Sequence, residues 1–313
     1  MKVAAGEKFA AMHGPAAGQI APDLEWVTMD GERRWSADPS SCELAIYASQ
    51  TYNEVFVDAL ADMPELRWGH SEDAGTDGRF VDSLSARGVT LTHSPGTNGP
   101  EVAEMALGFL LWSAKRLGDL RDQQAARHWN RIALHALNDQ HALVVGLGAI
   151  GGRIVQLCRA FGMTVSGVRQ SGEPFPGLQR QGTLADVGGM VANADYVILA
   201  IPITPSTAGL VDGALLAAMK RSAVLINVGR GGLVDSGALH QALTEGIIRG
   251  ACLDVVHSEP LPADDPLWRA PNLLITPHCA SETPLYMVRV GEVWLENLRR
   301  FRAGETMRNL VSR

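Results

Sequence analysis

The stretch from His141 to Gly151, HALVVGLGAIG, constrains this chain more than any other. An apolar run, Ala142-Leu143-Val144-Val145, leads into Gly146, Leu147, Gly148, Ala149, Ile150 and Gly151. Apolar residues at helical spacing follow: Ile154, Val155, Leu157, Cys158 and Phe161. Three glycines alone say little, but between a strand and a helix they acquire a mechanism. Gly146 permits a tight turn. Gly148 lets a pyrophosphate approach backbone N–H groups at the helix N-terminus. Gly151 lets helix and strand pack closely. The motif therefore predicts a strand–turn–helix that binds a dinucleotide; a ligand-free tight turn is the alternative reading.

Such a motif belongs in a parallel sheet, and the sequence supplies the strands. Short apolar runs occur at 164–168, 196–199, 223–226, 250–253 and 273–275. They do not alternate with polar residues, as expected of strands buried on both faces by crossover helices. Upstream, 24–28, 44–47 and 89–92 are strand-like, and Asn53 to Leu60 is helical in pattern. Pro100, Glu101 and Glu104 suit the start of a longer helix carrying Val102, Ala106, Phe109, Leu110, Ser113 and Leu117. Residues 119–136 are polar and basic, and read as a helix and a surface connection. After Thr283-Pro284, Val290, Val293, Trp294, Leu298 and Phe301 line one side of a final helix. If that helix returns to the N-terminal region, the first domain is discontinuous and the second is inserted into it.

A chain of 313 residues accommodates two such domains. Its 46% hydrophobic and 19% charged residues indicate a globular protein, and its net charge of −7 argues against a nucleic-acid backbone binder. Cys42, Cys158, Cys252 and Cys279 are far apart, which suggests reduced thiols in a cytoplasmic protein. The N-terminal MKVAAGEKFAAMHGP lacks a long apolar core and carries Glu7, so no signal peptide is expected. No apolar run reaches the roughly 18 residues of a membrane span. The nine histidines show no metal-ligand spacing.

The end of the second strand selects among dinucleotides. About 20 residues past the glycines, an acid would accept hydrogen bonds from the adenosine ribose. Here Val165-Ser-Gly-Val-Arg169 ends in a cation, followed by Ser171. Arginine cannot accept a hydrogen bond but clamps phosphate through charge-assisted donors. Arg169 therefore points to the 2′-phosphate of NADP(H), with Ser171 as a second donor; NAD(H), with Arg169 stacked on adenine, is the alternative.

Three further residues follow successive strands: Arg230 after Ile226-Asn-Val-Gly229, Glu259 after LDVVHS, and His278 after Ile275-Thr-Pro277. Ligands of open parallel sheets bind outside the carboxyl ends of the strands. A protonated histidine there can donate to a carbonyl oxygen. A nearby carboxylate would favour its charged form, and an arginine would hold a substrate carboxylate bidentately. Surface salt bridging, a solvated loop acid and a structural histidine are the bland alternatives. His257 is close to Glu259 in sequence and reads as a loop residue. Trp129 and Tyr52 read as core or interface packing rather than pocket lining.

Taken together, AGTD from Ala74, the helix from Pro100, GLGAIG, IPITPST, NVGRGGLVD, LDVVHSEPLP and TPHCAS are similar in order and spacing to the D-isomer-specific 2-hydroxyacid dehydrogenases. The resemblance covers nearly the whole chain. It implies an α/β fold of two Rossmann-like domains with parallel sheets. Residues 1–95 plus 285–313 would form the substrate domain, and residues 96–284 the inserted dinucleotide-binding domain. It implies Arg230, Glu259 and His278 as catalytic residues and Asp254 as holder of the nicotinamide carboxamide. Pro202, Thr207, Val228 and Gly229 join the glycine loop in the cofactor site. Backbone amides near Ala74 and Gly75 would meet the substrate carboxylate, alongside Arg230 and His278. A homodimer is implied through the helix from Pro100 and the basic segment after it, with hinges at 93–100 and 281–285.

The resulting expectation is an NADPH-preferring reductase of a small 2-oxoacid, glyoxylate- or hydroxypyruvate-like, that gives the D-2-hydroxyacid. Related formate dehydrogenases carry glutamine in place of Glu259. An NAD-dependent phosphoglycerate dehydrogenase-like enzyme would usually carry an acid near 169. A dinucleotide-sensing, corepressor-like binding protein would keep the same three residues. Two departures stand out: Glu72-Asp73 makes an acidic approach to the carboxylate loop, and Cys279 replaces an aliphatic residue.

Overall fold

Strands that read as unbroken apolar runs lie side by side in two parallel sheets. The structure, a computed structural model, describes residues 1–48, 51, 53–73, 75, 79–171 and 173–311. It divides into two units, Met1–Asn98 with Thr283–Arg313, and Gly99–Glu282.

In the first unit the described strands are β1 (Lys2–Gly6), β2 (Glu25–Met29), β3 (Leu44–Tyr47), β4 (Trp68–Ser71) and β5 (Thr90–Thr92). They pair in the order β2-β1-β3-β4-β5, all parallel. The helices between them are α1 (Glu7–Ile20), α2 (Glu54–Ala59) and α3 (Arg79–Ala86). Asn53 caps α2 by accepting the Phe56 N–H. Fully buried His70 on β4 sits 2.8 Å from Thr92 Oγ1 and 3.0 Å from Ser94 Oγ. Burial lowers its pKa to about 3, so the ring is neutral and serves the β4–β5 connection.

The second unit opens with α4 (Gly99–Ala114) and α5 (Leu117–Ala125). Its described strands are β6 (His141–Val145), β7 (Thr164–Val168), β8 (Arg180–Gly182), β9 (Tyr196–Leu199), β10 (Val224–Asn227), β11 (Gly250–Leu253) and β12 (Leu273–Ile275). The order is β12-β11-β10-β9-β6-β7-β8, all parallel. This is the doubly wound dinucleotide-fold order with one strand added, and its direction of winding reverses between β6 and β9. Helices α6 (Ala149–Ala160), α7 (Val187–Val191), α8 (Gly213–Ala218) and α9 (Ser236–Thr244) connect the strands. Alternate residues of the central strands feed two apolar layers. Leu143, Val145, Val197, Leu199 and Leu225 enter one; Ala142, Val144, Ile198 and Ile226 enter the other. Residues 119–136 divide as expected into helix, the end of α5 at Ala125, and a connection, 126–136, without regular structure. Within that connection Trp129 is 98% exposed, so it is not packed in a core of this chain.

The last helix, α10 (Pro284–Ala303), belongs to the first unit and packs against α1. Thr283 caps it by accepting the Tyr286 N–H, and Gly304 ends it in the left-handed region. Val290, Trp294 and Leu298 are buried, and Trp294 meets Phe9 edge-on at 5.6 Å. Among the described residues no helix is long and apolar enough to cross a membrane.

Candidate active site

The glycine turn sits at the reversal point of the second sheet. Gly146 follows β6 with φ +101°, a conformation that L side chains rarely adopt. A Cβ there would lie 2.4 Å from the Ala200 carbonyl oxygen, just past β9. A Cβ on Gly151 would lie 1.7 Å from the Gly146 carbonyl oxygen, so helix α6 can approach the turn only as glycine. Gly148 differs: a Cβ there meets no protein atom within 4 Å. Packing within the protein does not demand a glycine at 148, whereas close approach of a ligand does. Gly148 is also the N-cap of α6, and no side chain caps that helix. Its first-turn N–H groups and dipole remain for an anion. Leu147 is buried, Ile150 half-buried and Ala149 exposed.

A cavity of about 290 Å³ opens beside this turn, lined by Gly146, Leu147, Gly148, Arg169, Ser171 and Pro202 among others. Thr207 lines it too, but its hydroxyl is used locally: it donates to the Pro202 carbonyl at 2.9 Å and accepts from the Thr204 N–H at 2.7 Å. Thr207 thus shapes the loop after β9. Arg169 directly follows β7 and has one loose ion pair, Nη2 to Glu173 Oε2 at 3.8 Å. The uncapped helix, the room at Gly148 and the cationic wall fit a dinucleotide.

Arg230, Glu259 and His278 come together beyond the C-terminal ends of β10, β11 and β12, three strands adjacent in the sheet. His278 Nδ1 and Glu259 Oε2 are 2.7 Å apart, and Glu259 Oε1 accepts the Val256 N–H at 3.1 Å. The Glu259 hydrogen bond raises the His278 pKa against the opposing effect of burial. Burial pushes Glu259 upward, yet the His278 hydrogen bond and charge carry it below the usual carboxylate range. Arg230 adds positive field at both groups and lowers both pKa values. With Nδ1 engaged, His278 Nε2 makes no hydrogen bond to a described residue, and the side chain is 50% exposed. The histidine is therefore oriented, biased towards imidazolium and able to present one N–H.

Two polar groups hold this set. Asp254, 3% exposed, follows β11. Its carboxylate accepts from Thr276 Oγ1 at 2.5 Å and from the N–H groups of Cys279 and Ala280, each at 3.1 Å. Its carbonyl accepts the His278 N–H at 2.8 Å. His278 has φ +50°, uncommon for a non-glycine residue, and these bonds hold it there. Asp254 is thus seated under the His278 loop. Asn227 ends β10, donates to the Arg230 carbonyl at 2.9 Å and accepts the Gly229 N–H at 3.0 Å, fixing the turn through Val228 and Gly229. A Cβ on Gly229 would stand 2.7 Å from the Ile201 carbonyl oxygen. Neither Asn227 nor Thr276 was singled out from sequence. A polar residue ending an apolar strand and a hydroxyl two residues before a histidine were the signals available.

His257 is bound elsewhere, with Nδ1 2.7 Å from Ser236 Oγ and Nε2 3.4 Å from Asp265 Oδ2. In the first unit, Gly75 is half-buried beyond β4, while Ala74, Thr76, Asp77 and Tyr52 lie outside the described residues. Glu72 is buried, and its carbonyl accepts the Tyr286 hydroxyl at 2.6 Å, so its side chain is not a solvated approach to the loop.

Residues 107–280 match the family model described as "D-isomer specific 2-hydroxyacid dehydrogenase, NAD binding domain". A D-3-phosphoglycerate dehydrogenase of Mycobacterium bovis is 32% identical over 293 residues, 93% of this chain and 55% of its own length. The chain thus spans about half the length of such relatives. A glyoxylate reductase of Korarchaeum cryptofilum is 32% identical over 260 residues, covering 80% of this chain and 77% of that protein. Among solved structures, an NADPH-dependent glyoxylate/hydroxypyruvate reductase from Sinorhizobium meliloti in complex with citrate superposes with a TM-score of 0.82 at 26% identity. The match covers 99% of this chain and 97% of that one.

Proposed function

Because this chain belongs to the D-isomer-specific 2-hydroxyacid dehydrogenase family, we propose that it is an NADPH-preferring reductase of small 2-oxoacids. Substrates would be glyoxylate- or hydroxypyruvate-like, and the product the D-2-hydroxyacid. The observation that carries the reading is the 2.7 Å His278–Glu259 pair, whose Nε2 bonds to no described residue and lies in the positive field of Arg230.

A bound reduced nicotinamide dinucleotide would supply the hydride. Gly146, Leu147, Gly148, Ala149, Ile150 and Gly151 would hold its pyrophosphate. Arg169 and Ser171 would hold its 2′-phosphate, and Pro202, Thr207, Val228, Gly229 and Asp254 would complete its seat. As the substrate carbonyl is reduced, negative charge grows on oxygen, and His278 Nε2–H donates its proton there. Glu259 stabilises the imidazolium before transfer and orients the ring. Arg230 holds the substrate carboxylate and polarises the carbonyl. The second unit is the dinucleotide-binding domain and the first the substrate domain in this reading. The helix from Pro100 and the basic segment after it would carry the interface of a homodimer, and Trp129 in that segment is exposed.

Initial rates of reduced-nicotinamide absorbance loss with glyoxylate and hydroxypyruvate, NADPH against NADH, test the proposal. Faster NADPH loss is expected, and a preference for NADH would refute the cofactor assignment. The match to phosphoglycerate dehydrogenases keeps an NAD-dependent dehydrogenase as the second reading. Arg169 in the place of the ribose-binding acid favours the first.

A further inference from the structure

Arg169, offered above to a 2′-phosphate, already faces an anion of its own chain. Its Nη2 lies 3.8 Å from Glu173 Oε2, and its Nη1 donates to the Glu173 carbonyl at 3.4 Å. Other contacts fix the backbone there. Gln181 on β8 donates Nε2 to the same carbonyl at 2.9 Å, and its Oε1 accepts the Phe175 N–H at 2.7 Å. Phe175 lies against the first turn of α6, where a Cβ on Gly152 would stand 3.0 Å from its ring. The loop is thus anchored through its backbone and Phe175. The Glu173 carboxylate is 82% exposed and has no ion-pair partner among the described residues except Arg169. The fold does not need that charge. A guanidinium that receives a phosphate does feel it, because the carboxylate competes for the same donors and repels the incoming anion.

We infer that Glu173 is a specificity-determining residue, a resident counter-ion of Arg169 that weakens binding of the 2′-phosphate and narrows the preference for the phosphorylated dinucleotide. The inference rests on the Arg169 reading given above. Its sign is unusual: removing the charge improves binding, a gain that misfolding cannot imitate.

The test is calorimetric titration of the full chain and its Glu173→Gln variant with adenosine 2′,5′-bisphosphate and with adenosine 5′-monophosphate. The variant should bind the bisphosphate about two- to five-fold tighter, the scale of an exposed charge pair. Its affinity for the monophosphate should change much less. The gain should shrink as salt rises, because exposed charges are screened. If wild type prefers the bisphosphate but Glu173→Gln leaves that preference unchanged or lowers it, the Glu173 inference falls alone. If wild type shows no preference for the bisphosphate, the Arg169 reading falls and this inference with it.

Discussion

Two glycines three residues apart should fail in opposite ways when replaced by alanine. At Gly151 the new methyl would stand 1.7 Å from the Gly146 carbonyl oxygen and 2.8 Å from its carbon. Both atoms are backbone, so no side chain can rotate away, and helix or turn must move. Overpacking of this kind costs about 1–3 kcal/mol, occasionally more, and this contact lies at the severe end. At Gly148 the methyl meets no protein atom, and φ −77°, ψ −157° suits any residue. Alanine is a poorer N-cap than glycine by roughly 0.5–1 kcal/mol. Reduced freedom of the unfolded chain returns about 0.4–1 kcal/mol. Stability of Gly148→Ala should therefore stay within about 0.5 kcal/mol of wild type. Its methyl would occupy the approach to the uncapped helix, and losing one charge-assisted hydrogen bond weakens binding roughly tenfold or more. Denaturant unfolding without cofactor and fluorescence titration with NADPH read the two quantities separately. Equal destabilisation by both substitutions, or wild-type NADPH affinity in Gly148→Ala, would refute the reasoning.

Two other substitutions follow from the same geometry. Glu259→Gln removes the hydrogen-bonded carboxylate that raises the His278 pKa, so the pKa falls. Reduction uses the imidazolium, so the alkaline fall-off of the reductive rate should move to lower pH; an unmoved profile would separate the two residues. Arg169→Asp replaces a phosphate donor with an acid able to accept from ribose. It should lower kcat/KM for NADPH roughly tenfold or more and favour NADH, and an unchanged cofactor ratio would remove Arg169 from recognition.

The second unit was the more legible in sequence, for a physical reason. Runs such as Tyr196-Val-Ile-Leu199 are buried on both faces and advertise themselves by composition alone. Strand β4, Trp-Gly-His-Ser, went unread because Gly69 and His70 look like loop residues. Gly69 is glycine because a Cβ would meet Leu84 at 2.4 Å, and His70 is neutral and bonded on both nitrogens. Helix α1 was missed because Gly14, Pro15 and Gly18 interrupt its pattern, and its contacts with α10 are distant in sequence. In the candidate site, Arg230, Glu259 and His278 could be placed by the rule of strand ends. The hydrogen bonds from Thr276, Cys279 and Ala280 to Asp254 could not, because β11 and the segment after β12 meet only in the folded sheet.

The proton donor is the centre of the account, and His278→Ala tests it most directly. NADPH loss with hydroxypyruvate should be measured beside NADPH affinity, for wild type and variant. The account predicts a fall in kcat of about 10²–10⁴-fold with NADPH affinity retained. Near-normal turnover in the variant would contradict it.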